Sequence, residues 1–571
     1  MIDKNYTNES RLQLRDQPSA TRSGFLASPQ LLDHVFSLAI FSLTLFCGWY
    51  LTLAFPYGLW NAETPGYETL SRNFHWFAPN PLDWWRTFPL AILIDIASKL
   101  PNPTSAIYWV NTFLFSFSSA LVYYLGRALF SSRGWGLALA LSTLLFEIAE
   151  MNIFYNNLQI SADPLFAELI HLGVLVALVG WLCSSAVTFL LGYLVLAMAI
   201  FTKPAGLAIA PLWFAFAFLA RRRWSGNNRN NLVIAFASSV ILIAPATIWS
   251  LRNFYLYGYP KVAGSGGCSL LLAALPVMSN YDLLFDDART NAKFITTVRK
   301  CERDSGVDTN PNPSLEARAL RYESYFVWSG KGAYGPFDFL AALTNPFWTG
   351  NRISYRFDSK HMFQIDQESG RIAQRIICQH PLGYVRRTIR EYISMFSPQE
   401  LWLDDGYYYG YNSKLSRAYG LDAPKLIIDY LLFPRTGIPN PRPNNEAIAQ
   451  EIGAIVMNPI LRSIFNCYFV SELLLTHLLF LAAVIGLIVA FKRQSQYLVN
   501  LNVVLIMLFL TASFNYLVVA LMQVARWRYA LAGDPELHLM SIIALFFLLR
   551  WLASGSLPAK IKSTFASRKH P

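Results

Sequence analysis

Charged residues are scarce in this chain: Asp, Glu, Lys and Arg together make up 14% of its 571 residues. A soluble globular protein of ordinary composition carries about 25%. Because 54% of the residues are also hydrophobic, the composition excludes a cytosolic globular enzyme and indicates an integral membrane protein. The mean hydropathy is only +0.33, so a sizeable polar part must accompany the membrane helices.

Cysteine and the common catalytic motifs are also lacking. Six cysteines are too few for a disulfide-stabilised scaffold. The sequence contains no Cys-x-x-Cys pair, no His-Glu-x-x-His pattern and no Walker-type phosphate loop. These absences exclude the usual soluble zinc and nucleotide enzymes.

The basic residues exceed the acidic ones by 47 to 35, which gives a net charge of +12. A nucleic-acid-binding protein would gather its basic residues on one face, interleaved with aromatic side chains. Here they fall in short clusters between apolar runs, which is typical of a polytopic membrane protein and excludes nucleic acid as a partner.

A helix needs about 20 apolar residues to cross a bilayer, and about ten segments are candidates. We expect an all-α polytopic protein with spans at residues 32–55, 107–130, 136–148, 165–182, 189–201, 207–220, 232–251, 471–491, 498–521 and 537–552. The third, fifth and sixth of these segments are short, so their boundaries are the weakest.

The positive-inside rule orients these spans. With the N-terminal segment (1–30) in the cytoplasm, the basic residues at 127–133, 221–229, 492–493 and in the tail (554–571) all fall on the inner side. The predicted domains are therefore the N-terminal segment, spans one to seven (31–251), an extracytoplasmic domain (252–465), spans eight to ten (466–553) and the cytoplasmic tail.

The extracytoplasmic domain should be mixed and mainly helical, with helices near 314–328, 369–396 and 425–433. Cys268, Cys301 and Cys378 fall in it, and one disulfide could join two of them, although spacing does not identify the pair. The domain lacks an N-glycosylation sequon, since proline disqualifies Asn312-Pro313-Ser314. This favours a bacterial or archaeal plasma membrane.

The first outer loop (56–106) holds the first candidate site residues. Glu63 and Glu68 are carboxylates suited to general-base chemistry, and Arg86 is suited to bidentate phosphate binding. Tyr67 lies between the two acids. The alternative is a solvated polar loop with interfacial aromatic residues.

A second group of candidates lies at the ends of later spans. Asp163 precedes Pro164, a pattern typical of a helix N-cap, and Lys203 could reach an anionic headgroup or merely snorkel to the interface. The pairs Arg252-Asn253 and Arg528-Tyr529 place further cations on the outer side, against the prevailing charge bias.

In this order, the motifs resemble the GT-C superfamily of polyprenyl-phosphate-sugar glycosyltransferases, and most closely its protein O-mannosyltransferase and aminoarabinose-transferase branch. The sequence features that carry the resemblance are Glu63 and Tyr67 at a spacing of four, Arg86 before Pro89-Leu90, Asp163-Pro164, Lys203-Pro204, Arg252-Asn253 and Arg528-Tyr529. Glu stands where the family usually has Asp, which leaves Glu68 as a rival to Glu63.

The resemblance implies a cell-envelope glycosyltransferase that moves a sugar from a polyprenyl phosphate to an acceptor hydroxyl, with inversion. Either Glu63 or Glu68 would be the base. Arg86, Lys203, Arg528 and Tyr529 would bind the donor phosphate, and Tyr67, Arg252 and Asn253 would line the substrate groove. Asp163 would either bind a divalent cation of unknown identity or orient one of the basic residues. The acceptor could be protein, lipid or glycan.

A transporter of lipids or solutes is the alternative. Glu168, His171, Glu472 and His477 lie within predicted spans, and ionisable residues there mark function by default. However, the sequence shows no internal repeat of the kind that builds many secondary transporters.

Overall fold

The computed structural model describes residues 31–54, 67, 70–72, 74–80, 83, 87–101, 103–150, 157, 161–221, 228–264, 266–304, 339–340, 343, 359–396, 459–522 and 532–553. Within these ranges the regular elements are helices, and no strand occurs. The α-helices are α1 (Leu31–Ala54), α2 (Phe88–Ser98), α3 (Pro103–Phe130), α4 (Arg133–Glu150), α5 (Ala162–Leu182), α6 (Ala186–Thr202), α7 (Ala210–Ala220), α8 (Asn228–Tyr257), α9 (Gly266–Ala274), α10 (Ala288–Asp304), α11 (Ser359–Gln379), α12 (Pro381–Ser394), α13 (Pro459–Lys492), α14 (Gln496–Met522) and α15 (Asp534–Ala553).

In the part of the chain that the structure describes, seven helices are long and apolar enough to cross a membrane. Their apolar stretches are Leu31–Trp49, Ala106–Phe130, Ala162–Leu182, Arg229–Tyr257, Ser471–Lys492, Gln496–Met522 and Asp534–Leu552. The helical membrane protein expected from composition is therefore supported. The three short predicted spans coincide with α4, α6 and α7, which are not among the seven, so the count of ten stays a prediction.

Ionic contacts mark one end of the helix bundle, which we call the basic end. The Asp33 carboxylate at the beginning of α1 accepts from Tyr123 (2.6 Å) and Arg133 (3.0 Å) and pairs with Arg127 (3.1 Å). Arg550, near the end of α15, donates to the Phe130 carbonyl at 2.7 Å. The helices thus alternate in direction as the sequence predicts. That the basic end faces the cytoplasm stays a prediction.

At the opposite end, which we call the site end, α5 begins and α6 ends. These two helices form a tight hairpin because glycines line their contact. A Cβ on Gly192 would stand 2.4 Å from the Ala177 nitrogen, and one on Gly180 would stand 2.5 Å from the Phe189 nitrogen. Close backbone approach through small residues is the usual way that helices pack within membranes. The hairpin fixes where Asp163 and Lys203 meet.

Helices α9 to α12 pack at the site end and share a second hydrophobic core, which includes Leu271, Phe294 and Ile372. The helix predicted over 369–396 is instead two helices, because the chain breaks at His380 and Pro381 begins α12. Cys268 and Cys378 are free thiols, so neither forms the disulfide considered above. Cys301 and the helices predicted at 314–328 and 425–433 lie outside the residues whose side chains are described.

Candidate functional site

Of the ten predicted site residues, five lie in the part of the chain that the structure describes. Those described are Tyr67, Asp163, Lys203, Arg252 and Asn253. Those outside the described residues are Glu63, Glu68, Arg86, Arg528 and Tyr529.

Asp163 and Lys203 meet although 40 residues separate them. The Lys203 ammonium donates to Asp163 Oδ1 and forms an ion pair with it. The Asp163 side chain is buried at 7% exposure, whereas that of Lys203 keeps 21% of its surface exposed. Lys203 therefore does more than snorkel: a buried carboxylate holds its ammonium at the site end, with part of the side chain open to the surroundings.

Asp163 is not the N-cap that the Asp-Pro pattern predicts. The helix α5 begins one residue earlier, at Ala162, and Ser161 occupies the capping position. Asp163 and Pro164 both lie in the first turn, where a carboxylate is stabilised by the helix dipole. From this position its carboxylate pairs with Lys203.

The first outer loop is tied to the end of α6 beside Lys203. The Thr87 hydroxyl donates to the Thr202 carbonyl at 2.8 Å. Phe88 packs edge-on against Phe201, with 4.9 Å between the ring centroids. Thr87 follows Arg86 in the sequence and Thr202 precedes Lys203. The contact therefore brings the chain segment next to Arg86 to the helix end that carries Lys203.

Arg252 binds the same loop from α8. Its Nη1 donates to Asp83 Oδ2 at 2.8 Å, and its Nε donates to the Trp76 carbonyl at 2.7 Å. Its Nη2 donates to the carbonyls of His75 and Ala78, both at 3.1 Å. The guanidinium also lies over the Trp249 ring, 4.6 Å from its centroid. Each of the three guanidinium nitrogens thus donates a hydrogen bond to another group of the protein.

Asn253 joins α8 to the following segment, because its amide donates to the Lys261 carbonyl at 2.8 Å. Lys261 in turn pairs with Asp366 on α11 at 2.7 Å. Arg252 and Asn253 are both buried. Arg252 and Asn253 thus link α8 to its neighbours, and their place in a substrate groove stays a prediction.

Asp83 receives three donors. Besides Arg252, the Tyr257 hydroxyl donates to it at 2.6 Å and the Asn80 amide at 3.2 Å. Burial raises the pKa of Asp83, and the hydrogen bond from Tyr257 and the charge of Arg252 oppose that rise. Ser359 at the beginning of α11 donates to the Asn80 carbonyl. One small network thus connects the first outer loop, α8 and the outer helices.

Tyr67 is buried in an apolar cluster at the beginning of α5. Its neighbours in that cluster include Leu90 and Ile94 of α2 and Ala162 and Leu165 of α5. Tyr67 stands four residues after Glu63 in the sequence. The cluster therefore attaches this part of the loop to the helix that carries Asp163.

A divalent cation at Asp163 does not fit the residues that the structure describes. None of their His, Cys, Asp and Glu side chains form a group of three arranged to hold a metal ion. The Asp163 carboxylate faces the Lys203 ammonium, which would repel a cation. Of the two roles predicted for Asp163, its contact with Lys203 favours the orientation of a basic residue.

A second ionisable cluster is largely buried where α4, α5, α13 and α15 meet. Its members are Glu147, Glu168, His171, Glu472, Asp534, Glu536 and His538. His171 Nδ1 is 3.2 Å from Glu536, and His538 Nδ1 is 3.1 Å from Glu147. His538 Nε2 is 3.7 Å from Glu472. Among the described residues, one carboxylate oxygen of each of Glu147, Glu472 and Glu536 has no hydrogen-bond partner.

Sequence reasoning found only part of this cluster. It singled out Glu168, His171 and Glu472, but it missed Glu536 and His538. The sequence does contain a sign of them, since Asp534, Glu536 and His538 lie in the first two turns of the mainly apolar helix α15. His477, also predicted to join this group, instead hydrogen-bonds the Leu473 carbonyl and Tyr392.

The chain matches no protein-family model, no curated protein and no solved structure. The resemblance to the GT-C superfamily therefore depends on the order of the sequence motifs and stays a prediction.

Proposed function

We propose that this protein is a GT-C-type glycosyltransferase that uses a polyprenyl-phosphate-linked sugar as donor. The observation that carries the proposal is the Asp163–Lys203 pair and the attachment of the first outer loop beside it. Motifs that are far apart in the sequence come to the site end together, at the membrane surface where a lipid phosphate would lie.

In the proposed reaction, the acceptor hydroxyl attacks the anomeric carbon of the donor sugar and a new C–O bond forms. The bond between that carbon and the phosphate oxygen breaks, and its electron pair leaves with the polyprenyl phosphate. Glu63, or its rival Glu68, takes the acceptor proton. Lys203, held by Asp163, and Arg86 stabilise the charge that grows on the phosphate.

The exposed fractions of the two side chains support these roles, in which Lys203 contacts the phosphate and Asp163 holds Lys203 in place. A lysine that binds a ligand must be partly accessible, and the Lys203 side chain keeps 21% of its surface exposed whereas that of Asp163 keeps 7%. Arg252 is buried and fully hydrogen-bonded, so it fits a positioning role. The donor phosphate would thus face Lys203 and Arg86 rather than Arg252.

Native mass spectrometry of the purified protein with added polyprenyl monophosphate tests the binding step. We expect saturable binding that exceeds that of phosphatidylglycerol, which carries the same type of charge on a different tail. Lys203→Ala should weaken it, because the phosphate loses an ammonium partner. Lys99→Ala is the matched control, since Lys99 also pairs with an aspartate, Asp95, but is 70% exposed.

Binding that does not exceed that of phosphatidylglycerol, in protein that elutes as a folded species, would contradict the proposal. The chemical step is tested separately with Glu63→Gln, which should keep polyprenyl-phosphate binding and abolish transfer. Near-normal transfer by this variant would move the role of the base to Glu68 or to another residue. Loss of one stabilising donor such as Lys203 should lower kcat by about 100- to 1,000-fold.

A proton-coupled transporter is the second candidate, and the buried His and carboxylate cluster is the observation that favours it. Facing ionisable groups on different helices are typical of proton relays. In proteoliposomes, a transporter would give a proton flux that Glu472→Gln reduces. In a transferase, Glu472→Gln would not change the proton flux. The binding of polyprenyl phosphate would weaken in Lys203→Ala.

A further inference from the structure

An apolar stripe follows the face of α12 that is opposite to its packed face. The stripe consists of Leu382, Val385, Ile389 and Ile393, which are 84%, 51%, 55% and 45% exposed. Their spacing of three and four places them on one side of a helix. The packed side is formed by the buried residues Tyr384, Arg387, Thr388 and Glu391. The stripe therefore has no cover among the described residues.

The packed side attaches α12 to the site end of a membrane-crossing helix. The Tyr384 hydroxyl donates to the Leu521 carbonyl, and Arg387 Nη1 donates to the Ala520 carbonyl at 2.8 Å. Both carbonyls belong to the last turn of α14, which is among the seven helices able to span a bilayer. The beginning of α12 thus lies level with the end of a membrane span.

From there the chain goes deeper into the bundle. The Tyr392 hydroxyl is 3.2 Å from His477 Nε2 on α13, and the Phe396 ring packs against Tyr516 of α14 with 5.1 Å between centroids. Tyr516 precedes Leu521 by five residues, which corresponds to about 7 Å along the helix. α12 therefore descends beside α13 and α14 to the depth at which those helices meet lipid.

A short loop adds further exposed apolar surface at the beginning of α12. Tyr281 and Leu283 are 91% and 72% exposed. The residue between them, Asp282, is 2.7 Å from His380, and the Leu283 amide donates to Gln379 at 3.0 Å. Tyrosine at such a position is typical of the membrane–water interface.

Arg386 and Arg390 lie on the same exposed side of α12, next to the stripe. A helix with an apolar face and flanking basic residues is suited to the boundary between acyl chains and phosphate headgroups. Contact with acyl chains is favourable for the stripe, because it removes apolar surface from water.

We propose that α12 is an interfacial membrane helix. Its stripe contacts the acyl chains of the leaflet at the site end, beside α13 and α14, while Arg386 and Arg390 reach lipid phosphates. The Tyr281–Leu283 loop rests at the same surface. These lipid contacts would hold helices α9 to α12 against the bilayer, independently of the reaction that the protein performs.

Photo-crosslinking of the full-length protein in phospholipid nanodiscs tests this contact. Benzoylphenylalanine is incorporated at position 389 and, in a second variant, at 385, and adducts are identified by mass spectrometry. We expect lipid adducts at both positions, with yields comparable to that of Leu481 on α13, an exposed apolar residue of a membrane-crossing helix. Lys293 on α10, an exposed polar position, is the control and should give none.

A crosslink from 389 or 385 to another part of this chain or to a second copy would overturn the proposal, because protein would then cover the stripe. The absence of any adduct at both positions, with lipid adducts at 481, would overturn it too, because the stripe would then face water. Both variants are compared with wild type by gel filtration, and two positions guard against a single misfolded variant.

Discussion

Arg252 and Asp83 form an ion pair across 169 residues of sequence, with both side chains almost completely buried. The pair joins α8 to the first outer loop, which carries the predicted base and a predicted phosphate-binding residue. Asn80, next to this pair, also accepts a hydrogen bond from Ser359 of the outer helices. These hydrogen bonds therefore join three parts of the protein: α8, the first outer loop and the outer helices.

Removal of one partner of this pair should be strongly destabilising. Asp83→Asn or Arg252→Met leaves a buried, poorly compensated group, and such changes cost about 3–5 kcal/mol. The double variant should recover part of that loss, since both charges are then absent. Thermal unfolding in detergent measures the coupling. The exposed pair Asp95–Lys99 serves as the comparison and should contribute about 0–1 kcal/mol. Equal effects of the two pairs would contradict the structural role.

Gly192 should tolerate no side chain, because a Cβ there would overlap the backbone of Ala177 in α5. Gly192→Ala is expected to force α5 and α6 apart, lower the midpoint of thermal unfolding and disturb the Asp163–Lys203 pair. Overpacking of this kind costs about 1–3 kcal/mol. Gly134→Ala is the matched control, because its Cβ would meet nothing closer than 3.9 Å. A midpoint unchanged by Gly192→Ala would show that the hairpin is less tight than described.

Two native cysteines test the predicted orientation. Cys378 near the end of α11 is exposed, and Cys183 just after α5 is partly exposed at the other end of that helix. A thiol reagent that cannot cross membranes, added to intact cells, should modify Cys378 and spare Cys183 until the membrane is permeabilised. Peptide mass spectrometry reads the two sites separately. Modification of Cys183 alone in intact cells would contradict the predicted orientation and indicate the opposite one.

Asp287 should make the beginning of α10 sensitive to pH. Its carboxylate accepts from the Thr290 hydroxyl at 2.5 Å, from the Thr290 amide at 2.7 Å and from the Arg289 amide at 3.3 Å, and these hydrogen bonds lower its pKa. A lowered pKa means that the capping contribution is complete above the unfolded value, about 3.9. It is lost as the pH falls through the lower folded value.

Amide hydrogen exchange in the first turn of α10 measures this effect. Asp287→Ala should accelerate exchange at neutral pH relative to wild type, and the difference should shrink below the folded pKa, where wild type has also lost its carboxylate. Asp287→Asn separates the two contributions, since it keeps a capping oxygen without a charge. A difference between Asp287→Ala and wild type that is independent of pH would contradict the assignment.

The sequence alone determined the membrane character of this protein and the positions of its long apolar helices. Hydropathy is a local property, so a run of 20 apolar residues predicts its own environment without knowledge of its neighbours. The alternating direction of the helices followed from the distribution of basic residues in the same way. The short helices α4, α6 and α7 were located by the same reasoning, but they are not among the seven helices that are long and apolar enough to cross a membrane, so local hydropathy does not decide whether they span it.

Only the tertiary structure decided the partners. Nothing in the local sequence of Asp163 distinguishes a helix cap from a partner of Lys203. The local sequence of Arg252 likewise fits a phosphate ligand as well as it fits a partner of Asp83. Their roles depend on which helix ends meet, and that is set by close packing such as the glycine contacts of α5 and α6. The same holds for Glu536 and His538, whose partners come from helices hundreds of residues away. Long-range contacts arise from packing, which no short sequence window contains.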